Sequence, residues 1–220
     1  YSIIFSFANL IAAFSFDWLN QSILRYRSTF TSRIKILSPI SLGYIIGIIS
    51  IIIFVNIISI LQFSIIFSKQ HVIFLSLSIG IFNILKSTFQ SEEQPNKVIL
   101  ITSFQSILMI ISSIIILKTY DYSAEGLILG ISFGYLIPIL PYSKLFTSNI
   151  IAKKNIKKIK SFFNYGAPLS IWLGISLSLN FLDRYFIEYY YGPSLMGSYA
   201  GFSEFIIKIF SIFIFPITLA

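Results

Sequence analysis

The chain has no cysteine, one histidine, eight acidic residues and only 11% charged residues among its 220. Each scarcity removes a class of chemistry. Without cysteine there is no disulfide and no thiolate metal site. The lone histidine, His71, has no second histidine or carboxylate beside it at metal-ligand spacing, so no metal site is expected. No Gly-x-Ser-x-Gly elbow, P-loop or glycine-rich dinucleotide motif occurs. Glu92 and Glu93, in the turn "QSEEQPNK", carry the solvated role that acids in a turn have by default. Neither an enzyme nor a cofactor is expected. The charge is also too sparse to keep a domain of this size in solution.

What is present is apolar: 56% hydrophobic and 17% aromatic residues, with a mean hydropathy of +0.86. The apolar residues come in blocks of roughly 20, the length a helix needs to cross the hydrocarbon core. Seven segments are read, over 1–22, 36–60, 72–90, 98–118, 124–146, 162–190 and 196–220. They are too long for strands and do not alternate, which excludes barrel strands and leaves helices to satisfy the backbone in lipid. The expected fold is all-α, a polytopic transmembrane helix bundle. Glycines four apart, at 43 and 47, at 126, 130 and 134, and at 197 and 201, predict close helix packing. The chain opens in one apolar run, "YSIIFSFANLIAAF", and closes in another, "FSIFIFPITLA", so a piece of a longer protein is expected.

Basic residues set the orientation. The connections after segments one, three and five hold Arg25, Arg27, Arg33 and Lys35, then Lys86 and Lys97, then Lys144, Lys153, Lys154, Lys157, Lys158 and Lys160. The alternate connections hold Lys69, Lys118 and Arg184, one each. Twelve against three, alternating loop by loop, predicts that the first set is cytoplasmic. The run "KKNIKKIK" predicts a short helix on anionic headgroups within a basic linker over 147–161. It lacks the aromatic or glycine-rich pattern of a nucleic-acid surface, so no nucleic acid is expected as a partner.

Charges inside the last two segments stand out. Arg184 lies roughly 9 Å below the outer end of segment six, while Glu204 and Lys208 lie about 10 and 16 Å down segment seven. Glu204 and Lys208 are four residues apart and share a face. A charge at the bilayer centre costs on the order of 3 kcal/mol, so this grouping predicts a polar interior with Arg184 near Glu204. A packing role for the same charges is the alternative.

Particular stretches resemble the bacterial polysaccharide flippases of the multidrug, oligosaccharidyl-lipid and polysaccharide exporter superfamily. These are Tyr165-Gly166-x-Pro168, the run Asp183 to Ile187, Gly197-x-Tyr199, and "DWLNQSILRYRS" from Asp17 to Ser28. The resemblance implies two lobes of a bundle of twelve or more helices, divided here as 1–146, the linker 147–161 and 162–220, with one helix missing in front. It implies a cavity open alternately to each face of the bacterial inner membrane. The cargo implied is an undecaprenyl-pyrophosphate-linked oligosaccharide, with a polysaccharide polymerase, assembly proteins and membrane lipids as partners. Arg184, Lys208 and Arg25 are the cations expected at the headgroup, and Asp183, Glu204 and Asp17 the acids expected in ion pairing or coupling. Arg25, at a helix end, is equally explained by snorkelling to headgroups. A cation-coupled drug antiporter of the same architecture and a non-transporting assembly scaffold are the alternatives.

Overall fold

A computed structural model of the chain describes residues 2–26, 33–60, 69–119, 123–143 and 156–219, and the side chains among them at 2–26, 40–57, 69–119, 123–143, 159–207 and 209–210. All regular structure there is helical. We number the helices α1 (Ser2–Tyr26), α2 (Arg33–Ile60), α3 (Lys69–Ser91), α4 (Pro95–Thr119), α5 (Ala124–Tyr142), α6 (156–191) and α7 (193–219). Among the described residues six stretches are long and apolar enough to cross a membrane, the last covering Ile159–Ile207. The chain is a membrane protein with the architecture of a polytopic helix bundle. Seven helices are recovered once that last stretch is divided at Gly192, whose φ of 84° and ψ of 169° are not helical. Most of the expected linker, 147–155, lies outside the described residues, and 156–161 form the start of α6.

Local sequence explains where the helices start and stop. Ser123 caps α5, its Oγ accepting from the Gly126 amide at 3.2 Å. Pro138 and Pro141 cannot donate to an α-helical ladder, and α5 ends as a 3-10 helix over Ile137–Tyr142. Glu93, at φ 54°, makes the tight turn from α3, and Pro95 opens α4. Serine and threonine are tolerated inside the apolar runs because their hydroxyls donate back one turn. Ser76, Ser78, Thr88 and Ser132 each bond the carbonyl four residues earlier at 2.7–2.8 Å.

The core is centred on α1, which packs against α2, α3 and α6. Ile4, Phe16, Leu19 and Ile23 are completely buried. Phe16 sits between two glycines: a Cβ on Gly47 would lie 2.1 Å from its ring, and one on Gly80 2.0 Å. The glycine pair at 43 and 47 therefore receives α1, with Leu19 against Gly43. Gly130 and Gly134 bring α5 onto the backbone of α4 at Ser113 and Met109, and Ser112 Oγ donates to the Gly130 carbonyl at 2.6 Å. Gly197 and Gly201 do not repeat this, for nothing described lies within 4 Å of a Cβ on either. On the outside, α4 presents Ile99, Leu100, Ile107, Ile110 and Ile115, the surface expected of a lipid-facing helix.

One seam joins α1 to α6. Gly166 meets α1 so closely that a Cβ there would lie 1.8 Å from the Trp18 carbonyl oxygen. Ser22 Oγ donates to the Phe162 carbonyl at 2.6 Å, and Ser170 Oγ to the Ala13 carbonyl at 2.9 Å. Ala13 begins a π-helical turn, Ala13–Asp17, within α1. A π turn disturbs the carbonyl ladder, and side chains use the carbonyls it presents. Ser170 takes that of Ala13, and the Trp18 indole N–H takes that of Ser15 at 2.9 Å.

Candidate functional site

The site is assembled from small polar residues on α1. Ser2, Ser6 and Asn9 recur at intervals of four and three, which puts them on one helix face. That face is turned to Arg184 of α6. Arg184 is 9% exposed, and its Nη1 donates to Ser6 Oγ at 2.8 Å, to the Ser2 carbonyl at 3.4 Å and, in a short contact, to Ser2 Oγ. Its Nη2 pairs with Glu204 Oε1 of α7 at 3.2 Å. Arg184 thus ties α6 to two other helices, α1 and α7.

Its position follows from the neighbouring turn. Arg184 and Glu204 are twenty residues apart, which a straight helix would stretch to about 30 Å. Gly192 folds α7 back along α6 instead. Met196 and Ala200 of α7 bury themselves with Ile3 of α1 and pack against Phe181 and Ile187 of α6, which fixes the hairpin.

Arg184 and Glu204 stand at the wall of a cavity of about 480 Å³. Its polar lining comes from Ser6 and Asn9 of α1, Gln105 and Ser106 of α4, Tyr135 of α5, and Asn180 of α6. Phe5, Met109, Leu177 and Ile207 supply apolar wall. Gln105 is itself buried, near the middle of α4 and away from its exposed apolar face. A second cavity of the same volume adjoins at Glu204, lined by Ser2, Glu188, Pro193 and the Gly197–Gly201 face of α7. The two share Glu204 alone. Its carboxylate, 39% exposed, is reachable from either.

Not every expected residue gathers here. Arg184 and Glu204 meet as depth along their helices predicted. Lys208 lies one turn further along α7, and its side chain falls outside the described residues. Asp183 is exposed and makes no hydrogen bond or ion pair with a described residue. Arg25 is at the far end of α1, exposed, its guanidinium 4.2 Å from the Tyr165 ring centroid and 5.9 Å from that of Tyr26. Tyr165 of the Tyr-Gly-x-Pro stretch thus carries a cation–π contact, while its glycine makes the close crossing with α1. Asp17 ends the π turn, where its Oδ1 accepts from Asn20 Nδ2 at 2.8 Å. It does not line the cavity of Arg184. His71, expected to be isolated, has Glu125 Oε2 at 3.9 Å from its Nδ1 across the starts of α3 and α5. Among the described residues, no group of three metal-ligating side chains forms.

The residues not foreseen are Ser2, Ser6, Asn9, Gln105 and Asn180. Their signal was available as small polar residues at helical spacing inside apolar runs.

In comparisons with known proteins, no family model, no curated protein and no solved structure matches the chain.

Proposed function

We propose that this protein carries an anionic lipid headgroup across the membrane, as a flippase for a pyrophosphate-linked oligosaccharide in a bacterial inner membrane. The observation that carries the reading is Arg184, a guanidinium buried among transmembrane helices and facing a polar cavity rather than lipid. A charge so placed is costly and characteristically belongs to a cargo pathway. Arginine's planar fork suits phosphate oxygens, and the serine hydroxyls, Asn9, Gln105 and Asn180 offer further partners to a diphosphate and its first sugar.

Glu204 fits the same reading. Its carboxylate occupies one face of Arg184, where a phosphate oxygen of the cargo would otherwise bind. Cargo and Glu204 then compete for one guanidinium, and cargo entry breaks the ion pair between α6 and α7. Lys208, a turn beyond Glu204, would receive the second phosphate. Transport, not catalysis, is the role proposed, with a polysaccharide polymerase and assembly proteins downstream. A cation-exporting antiporter would want an acid without a neighbouring base, and here the acid of the cavity is paired with Arg184.

Complementation of a flippase-deficient strain by the intact protein tests this reading. Arg184→Ala with Lys208→Ala is expected to abolish surface polysaccharide while membrane abundance falls much less. Normal polysaccharide from that variant would overturn the anionic-cargo reading, and a loss of abundance as large as the loss of polysaccharide would favour a packing role.

A further inference from the structure

The π turn of α1 holds a second unusual group, outside the Arg184 cavity. Asp17 ends that turn about 13 Å from the C-terminal end of α1, well inside the helix. It is half-buried and has no cation for a partner among the described residues. Among the described residues its one hydrogen bond comes from Asn20 Nδ2 at 2.8 Å. Asn20 is 4% exposed, and its Oδ1 is fully buried with no donor. An ionised carboxylate would therefore sit beside a buried carbonyl oxygen that has no donor, which is the arrangement interiors avoid.

We propose that Asp17 and Asn20 form a proton-binding site, in which a proton on Asp17 Oδ2 donates to Asn20 Oδ1 while Asn20 Nδ2 donates to Asp17 Oδ1. A carboxylic acid and a primary amide are complementary in this way, each giving one hydrogen and taking one. Uptake forms one O–H bond from a solvent proton and neutralises the charge. Release returns the proton to water and leaves both the charge and the orphan oxygen. One partner of the ring is already in place in the Nδ2–Oδ1 bond.

Among the described residues, the surroundings supply no substitute for the proton. Three elements pack against the turn: α2, α3 and α6. Tyr44 of α2 stacks on Phe16 with centroids 6.2 Å apart, and Tyr165 of α6 holds Arg25. Among the described residues, Asp17 forms no ion pair with Lys69 or Lys86 of α3, with Lys160 of α6 or with Arg25. The same turn gives its carbonyls to Ser170 of α6 and to Trp18, while Ser15 Oγ reaches Ser50 of α2 at 3.3 Å. A charge appearing at Asp17 therefore loads the junction of α1 with both neighbours. Neither cargo nor direction of transport enters this inference, so it stands or falls apart from the flippase reading.

Infrared difference spectra of the intact protein in liposomes, recorded across a pH titration, test it. Wild type is expected to show a hydrogen-bonded carboxylic-acid carbonyl band that Asp17→Asn lacks entirely. Asn20→Leu is expected to keep the band but move it to the higher frequency of an unbonded acid. If Asp17→Asn fails to accumulate, the Asn20→Leu shift decides alone. No band assignable to Asp17 at any pH would overturn the site, and a band unmoved by Asn20→Leu would overturn the pairing. Loss of the band on adding sodium at constant pH would overturn it in favour of a metal cation.

Discussion

Arg184 and Glu204 lie twenty residues apart in the chain and 3.2 Å apart in space, and Gly192 between them is what makes this possible. At φ 84° and ψ 169° the backbone occupies a region that only glycine enters freely. Nothing described lies within 4 Å of a Cβ at this position, so strain and not crowding is what a substitution would meet.

Gly192→Ala is accordingly expected to destabilise the hairpin by roughly 1–3 kcal/mol. The absence of native cysteine makes the measurement direct. Cysteines at Ile187 and Ala200, which border the same small cluster, should form a disulfide readily in the parent and poorly with Gly192→Ala. Equal cross-linking in both would show that the hairpin does not need the glycine.

The glycines divide into two groups with opposite expectations. Gly80→Ala must displace Phe16, whose ring would be 2.0 Å from the new methyl. Overpacking of this kind costs typically 1–3 kcal/mol. Gly197→Ala and Gly201→Ala meet nothing described and should be close to neutral, with a small gain in helix propensity. Unfolding of the purified protein in mild detergent separates the two groups. Pairing Gly80→Ala with Phe16→Leu should recover part of the loss, since the smaller side chain gives back the space.

How much of this could be read beforehand differs by element. The helices were legible because lipid forbids other backbone solutions, and apolar length alone marks them. The Arg184–Glu204 pair was legible because charges in apolar runs are few and depth follows from residue count. The division of the last stretch was legible at the tight "YYYGPS" connection, where Gly192 leaves the helical conformation. The lining of the cavity was harder, since Ser2, Ser6 and Asn9 resemble the many serines that bond back to their own helix. Only the position of Arg184 distinguishes them. The π turn has no signature in Ala13–Asp17 itself, where packing of Phe16 between Gly47 and Gly80 acts on residues far apart in sequence.

Orientation rests on basic residues, many of them outside the described side chains, and can be checked without any structure. Asn155→Cys, in the lysine-rich connection before α6, should resist an impermeant thiol reagent applied to intact cells and react once the membrane is opened. Cysteines replacing Lys69 or Lys118 should react from outside. Labelling of position 155 in sealed cells would reverse the topology and the proposed direction of transport with it.

The Arg184–Glu204 contact must also be separated into what it does for folding and what it does for cargo. Arg184→Ala alone leaves Glu204 without its base and Ser2 and Ser6 without their donor, so both abundance and transport should fall. Arg184→Lys keeps the charge and loses the fork, and partial transport at near-normal abundance is expected. The decisive variant exchanges the two residues, Arg184→Glu with Glu204→Arg. The ion pair can re-form across α6 and α7, and with one carboxylate partly exposed its coupling is expected to be about 1 kcal/mol rather than that of a buried pair. If the pair only holds two helices together, the exchange should restore abundance and transport alike. If Arg184 receives an anionic headgroup, the exchange places a carboxylate against Ser2 and Ser6 and moves the guanidinium to α7. Abundance should then recover well above that of Arg184→Ala while surface polysaccharide stays at the level of the single variant. Full transport by the exchanged protein would end the case for Arg184 as the headgroup's partner.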